Sequence, residues 1–247
     1  MRVQGEGEPL LLINGMTRPL HSWDPFIAAM PGRTIVSFDA PGSGASPTPL
    51  RPVSIAGLAR VAVAVLDAAG LPDADVLGFS HGGAVAQELA RYFPDRVRRL
   101  ILVATSCGVG ATPGNSTRAI LHALGRRDEH NPWPRPDVLG LYWHSLAIST
   151  WSSIPILGGI RTPTLVVCGI HDRVATPTNS RVLARRIPGA SLVLLPGGHD
   201  LQRAVPAKGL ARVVESFLPA DRPTRRVLAA GHAATPSEWL HTLTRAT

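Results

Sequence analysis

Six short apolar runs recur along the chain, and each is followed by a stretch with a different rhythm. PLLLING (9–15), RTIVSFD (33–39), ADVLGFS (74–80), VRRLILVAT (97–105), TPTLVVCG (162–169) and ASLVLLPG (190–197) are dominated by Leu, Ile and Val. Runs of this kind read as strands buried on both faces. Between them, 54–69, 81–92, 178–187 and 204–218 repeat apolar residues at helical spacing, and Ser54 is placed to cap the first. Strands that alternate with helices pair in parallel through right-handed crossovers. The expected fold is therefore α/β, a mostly parallel open sheet with helices on both faces. In such a sheet, binding groups collect at the carboxyl ends of the strands.

VLGFSHGGAVAQ (76–87) places Ser80 at such an end, with a helical pattern starting at once. Gly78 and Gly82 remove side chains where strand and helix would collide, and Gly83 lets the helix sit closer. A serine on that corner is either a helix cap or a nucleophile. A hydroxyl is a weak nucleophile and needs a base oriented by a third group. In this topology the chain order must be Ser, then an acid after a later strand, then His after the last strand. The run 162–169 is followed by IHDRV, which supplies Asp172, and the run 190–197 leads into GGHD, which supplies His199. Asp172 stands too early to cap the helix over 178–187, and Asp39 is the reserve acid, read as bracing its own loop. His171 and Asp200 are read as facing solvent.

A tetrahedral intermediate also needs two donors aimed at its oxygen. The backbone N–H of His81 follows the nucleophile directly, and the N–H of Met16 follows the strand end Asn14-Gly15. The ring of His81 is read as pocket wall. His21, Trp143 and Trp151 are the candidates for substrate contact. The histidines show no metal-ligand spacing, so no metal and no cofactor is expected.

Composition narrows the remaining classes. The chain has 247 residues, 45% apolar and 17% charged, which suits one buried core. The net charge of +8 comes almost wholly from arginines spread along the sequence, with few aromatics. Nucleic-acid binding needs clustering that is not seen here. Cys107 and Cys168 are too few for a disulfide framework, and Cys168 is read as a small packed hydrophobe. MRVQGEGEPL carries no basic-then-apolar leader, and no run approaches membrane-spanning length, so a cytoplasmic chain is expected.

With these residues placed, the chain resembles the α/β-hydrolase superfamily over nearly its full length. LLLINGM, FDAPGSGASPTP, LGFSHGGAVAQELA, CGIHDRVATP and PGGHD fall where that fold has its oxyanion loop, structural turn, nucleophile elbow, acid loop and histidine loop. A narrower likeness, to intracellular poly(3-hydroxyalkanoate) depolymerases, rests on the Asn-Gly oxyanion loop, VRRLILVATS, LYWHSLAISTWSSIPILGGIRTPTLVV and RVLARRIPGASLVLL. It implies a serine ester hydrolase acting on 3-hydroxyalkanoate polyester or oligomers, at a granule surface inside a bacterium. The alternatives are a small-molecule carboxylesterase or thioesterase of a biosynthetic pathway and, from another class, a non-catalytic binding homologue. The chain departs from that family by carrying His81 where Trp is common, by a shorter segment before LYWHSL, and by lacking most of the leading hairpin. The implied partition is a core of 1–105 and 161–220, a reduced cap at 106–160, and a basic tail at 221–247 with a short helix at 236–245.

Overall fold

All six apolar runs form strands in the computed structural model, which describes residues 1–114 and 137–218. They are β2 (Glu8–Ile13), β3 (Arg33–Ser37), β4 (Ala74–Phe79), β5 (Val97–Val103), β6 (Thr164–Gly169) and β7 (Ser191–Leu195). A seventh, β1 (Arg2–Gln4), lies outermost and runs antiparallel to β3; the other pairings are parallel. The sheet order is β1-β3-β2-β4-β5-β6-β7. The leading segment thus contributes an edge strand, too short to leave a pattern in the sequence. The tail at 221–247, its helix at 236–245 and Trp133 lie outside the described residues.

Strand alternation divides the core in two. Leu11, Val76, Leu100, Leu102 and Val166 face one side of the sheet, where α2 (Ile55–Ala68), α3 (His81–Tyr92) and α5 (Pro177–Arg186) pack. Leu10, Leu12, Leu77, Ile101 and Val167 face the other, against α1 (Asp24–Ala28) and α6 (Ala204–Phe217). Each fully buried side chain of this size stabilises the fold by roughly 1.5–3 kcal/mol. With both faces covered, a central strand has no polar face, which explains the uninterrupted runs. Ser54 caps α2 as expected, accepting from Gly57 N at 3.1 Å. Cys168 is fully buried, and burial pushes its thiol up to about 11, so it packs as an inert apolar group.

The sheet reverses its direction of winding between β2 and β4, which are neighbours although β3 intervenes in sequence. Loops leaving two such strands diverge and open a crevice at their carboxyl ends. The elbow after β4 is built by close approach. A Cβ on Gly82 would collide with the carbonyl oxygens of Ile13 and Asn14, and one on Gly83 would collide with Thr105.

The segment 106–160 contributes α4 (Val138–Ser149), which docks on the loop after β3. Gly140 lies directly over the Gly42 backbone, with no space for a side chain. Asp137 caps α4 at Gly140 N and accepts from the Thr48 hydroxyl. His144 Nε2 lies 3.0 Å from Pro41 O and 3.2 Å from Ser43 Oγ. A carbonyl only accepts, so Nε2 carries the proton. The His144 ring stands edge-on to His81, with centroids 4.9 Å apart. Burial holds His81 well below its ordinary value and lowers His144 as well, so both rings stay neutral.

Two outcomes follow. Gly82→Ala forces backbone against backbone and is expected to lower stability by about 3 kcal/mol, read as a drop in thermal midpoint. Unfolding returns His144 to a value near 6.5, so its contribution is complete above that pH and is lost as pH falls through it. Between about pH 7.5 and 5.5 the wild type should therefore lose more stability than His144→Asn, measured by urea unfolding at both pH values.

Candidate active site

Ser80 ends β4 with φ 53° and ψ −117°, a conformation an L-residue adopts only under constraint. Its N–H donates to Val103 O at 2.9 Å, and the Thr105 hydroxyl donates to its carbonyl at 2.7 Å. The Ser80 side chain makes no capping bond to α3. Its hydroxyl lies 3.0 Å from His199 Nε2 instead, which removes the helix-cap reading.

His199 follows β7 and is 8% exposed, packed against the Phe79 ring at 5.1 Å between centroids. Its Nδ1 lies 2.8 Å from Asp172 Oδ2. The carboxylate accepts, so Nδ1 carries the proton and Nε2 is left to accept from the Ser80 hydroxyl. Asp172 is itself fixed: Oδ1 accepts from Val174 N at 2.8 Å and Ala175 N at 3.0 Å. Three side chains separated by 119 and 27 positions in sequence thus form one hydrogen-bonded line. A serine in such a line can lose its proton to the imidazole as it attacks a carbonyl.

The loop after β2 is shaped by Asn14. Its Nδ2 lies 2.8 Å from Pro19 O and 2.7 Å from Ser22 Oγ, while Oδ1 accepts from Gly15 N at 2.9 Å. Asp39 stands where the sequence placed it as a brace, accepting from Leu20 N at 2.7 Å and Ala45 N at 3.0 Å. Met16, Ser80, His81 and His199 line one cavity of about 220 Å³, with Ile148 of α4 closing one side. The non-glycine residues with positive φ are Thr17, Ser80 and Ala104 among the described residues, and all stand in or beside this wall.

The three expected substrate contacts stand away from the described cavity wall. His21 is exposed, 4.0 Å from Asp24 Oδ2, and is absent from the described cavity wall. The Trp143 indole donates to Pro49 O at 3.2 Å, and the Trp151 indole donates to Glu88 Oε1 at 2.7 Å. Both indoles satisfy their N–H groups in packing, and neither ring lines the described wall. Asp200 does not simply face solvent: its Oδ1 lies 3.3 Å from Arg18 Nη2 and its Oδ2 lies 3.6 Å from Arg203 Nη1. His171 is exposed, as expected.

Sequence reasoning missed Arg18, which is 7% exposed and lines the cavity. The only signal was its position two residues after Met16, in a loop at the carboxyl end of a strand. Among the described residues, no cluster of three His, Cys, Asp or Glu side chains could hold a metal. No helix among them is long and apolar enough to cross a membrane.

Comparison with known proteins agrees with this geometry. The family model described as the alpha/beta hydrolase fold matches residues 8–133. The poly(3-hydroxyalkanoate) depolymerase of Ectopseudomonas oleovorans is 33% identical over 242 residues, covering 87% of this chain and 85% of that protein. The crystal structure of a hydrolase from Pseudomonas aeruginosa PA01 superposes with a TM-score of 0.77 at 29% identity, covering 89% of this chain and 93% of the other. The enol-lactonase from Burkholderia xenovorans LB400 gives a TM-score of 0.75 at 25% identity, covering 87% and 94%. By its elbow, its sheet order and these relatives, the chain belongs to the alpha/beta hydrolase fold family.

Proposed function

We propose that this chain is a serine hydrolase that cleaves carboxylic esters through an acyl-enzyme on Ser80. The observation that carries the reading is the line Asp172–His199–Ser80, closed at 2.8 and 3.0 Å. His199 takes the Ser80 proton as the hydroxyl oxygen attacks the ester carbonyl, and Asp172 holds the imidazole and stabilises its charged form. The N–H groups of Met16 and His81 receive the oxyanion, helped by the positive end of α3. His199 then returns the proton to the departing alcohol. Water repeats the sequence on the acyl-enzyme and frees the acid. In this reading the segment 106–160 is a reduced cap, whose helix α4 walls the acyl site through Ile148.

For the substrate we take 3-hydroxyalkanoate esters, polymer or oligomer. The support is the 33% identity to the depolymerase across 87% of the chain. A second reading, a carboxylesterase or lactonase for small soluble substrates, is favoured by the cavity. A space of about 220 Å³ is below the usual range for ligand sites. The 25% identity to an enol-lactonase points the same way. Hydrolysis of a medium-chain polyester latex, compared with soluble 4-nitrophenyl alkanoates, separates the two.

Ser80→Ala is expected to fold normally and to reduce turnover of 4-nitrophenyl butyrate at least about a thousandfold. A fluorophosphonate should label the wild type at Ser80 and leave the variant unlabelled; labelling elsewhere, or persistent turnover, overturns the nucleophile. Asn14→Ala should loosen the donor loop and lower kcat about tenfold or more, with a smaller change in KM. An unchanged kcat would remove Asn14 from that positioning role.

A further inference from the structure

Helix α4 carries apolar residues on two opposite sides. One side, with Gly140, His144 and Ala147, is buried against the loop after β3 and the elbow. The other presents Val138, Leu139, Tyr142 and Leu146 to solvent, Val138 being 77% and Tyr142 58% exposed. Residues four apart stack along a helix, so 138, 142 and 146 form one strip, with 139 beside it. Exposed Leu50 follows Pro49, whose carbonyl receives the Trp143 indole N–H, and so stands beside the same helix. No Asp, Glu, Lys or Arg occurs from 138 to 160, in a chain whose net charge is +8. A helix that is apolar all round is ordinarily buried all round, and a contiguous uncharged strip left open marks a contact surface.

What this strip meets follows from its place beside the active site. Along one edge of α4, Ile148 walls the cavity, and Ser145 Oγ lies 3.6 Å from Met16 Sδ in the loop after β2. A helix with its side chains is about 10 Å thick, so a body seated on the strip lies about that far from the cavity. The cavity, about 220 Å³, takes a short acyl unit and not a polymer chain. A polyester substrate would leave most of its mass outside, against the surface beside the mouth. A 3-hydroxyalkanoate polyester is uncharged, with apolar side chains and ester carbonyls that only accept. It complements a strip that has no charge and, in Tyr142, a phenol hydroxyl that donates. Resting on the ester-hydrolase reading above, we infer that the outward face of α4 is a docking surface for water-insoluble 3-hydroxyalkanoate polyester. It holds the polymer phase at the cavity mouth while a single chain reaches Ser80. Docking makes and breaks no covalent bond.

The test reads adsorption apart from hydrolysis. Ser80→Ala is mixed with a poly(3-hydroxyoctanoate) latex, and the free protein is measured after pelleting. It is expected to adsorb, and to stay adsorbed in about 0.5 M sodium chloride, because the contact is apolar. Adding Val138→Gln, Tyr142→Gln and Leu146→Gln should weaken adsorption about tenfold or more, with the thermal midpoint nearly unchanged. Tyr142→Gln alone should give part of that loss. Adding Val3→Gln and Tyr92→Gln instead should change little, since these exposed positions lie on the edge strand and at the end of α3 remote from Ser80. With Ser80 present, the α4 substitutions should lower latex hydrolysis about tenfold relative to turnover of 4-nitrophenyl butyrate. Failure to adsorb, release by salt, or α4 substitutions that act no more strongly than the control pair overturns the inference. Tighter adsorption to phosphatidylcholine vesicles than to the latex also overturns it and makes the face a lipid contact. A wild-type dimer that the α4 substitutions split overturns it too, as an interface between two copies. Because Ser80→Ala leaves hydrolysis aside, adsorption through α4 stands even if the wild type cleaves no ester. Turnover of soluble esters without adsorption removes the docking surface and leaves the hydrolase reading intact.

Discussion

The strained backbone of Ser80 is the feature on which the rest of the site depends. A φ of 53° at a non-glycine residue costs on the order of 1–3 kcal/mol. It persists because β4 must stop and α3 must start within one residue, and three neighbours hold that turn in place. Val103 O takes the Ser80 N–H, Thr105 takes its carbonyl, and Gly82 presses against Ile13 and Asn14. Relaxing the turn would break these contacts together. The turn directs the hydroxyl away from the helix and toward His199. The direction of the Ser80 hydroxyl is thus a consequence of one backbone conformation.

Chain order and sheet topology were legible for a related reason. The central strands are buried on both faces, so their apolar runs stand out, and the loops that follow their carboxyl ends can be named by counting. Ser80, Asp172 and His199 were found in that way, from residues that must follow β4, β6 and β7. β1 and α1 were not legible, since three to five residues are too few to show a period. Helix α4 was missed because its apolar residues lie on more than one side: His144 and Ala147 are buried while Val138 and Tyr142 are exposed. Trp143 and Trp151 were named by residue type, and in the structure both indole N–H groups find partners in packing.

Arg18 was illegible for a different physical reason. An arginine in a loop is ordinarily solvated, and its burial depends on a carboxylate 182 positions away. Nothing local records that pairing. Much of the basic surplus is engaged in a similar manner. Arg98 pairs with Glu8, Asp73 and Asp75, Arg33 pairs with Asp75, and Arg96 pairs with Asp67. Asp75 is still pushed upward by burial despite the arginines beside it, which shows how strongly desolvation acts in that cluster. A net charge of +8 therefore describes the chain and not any one of its surfaces.

The two ends of the sheet put their arginines to different uses. Arg33 and Arg98 reach Asp75 and Glu8 at the amino ends of β4 and β2, remote from Ser80, where a charge network closes the fold against solvent. At the carboxyl ends the sheet opens into the crevice, and the arginine there, Arg18, lines a cavity with Ser80 in its wall. The desolvation that makes Arg18 expensive to bury is met there by Asp200, so the guanidinium joins the loop after β2 to the loop that carries His199.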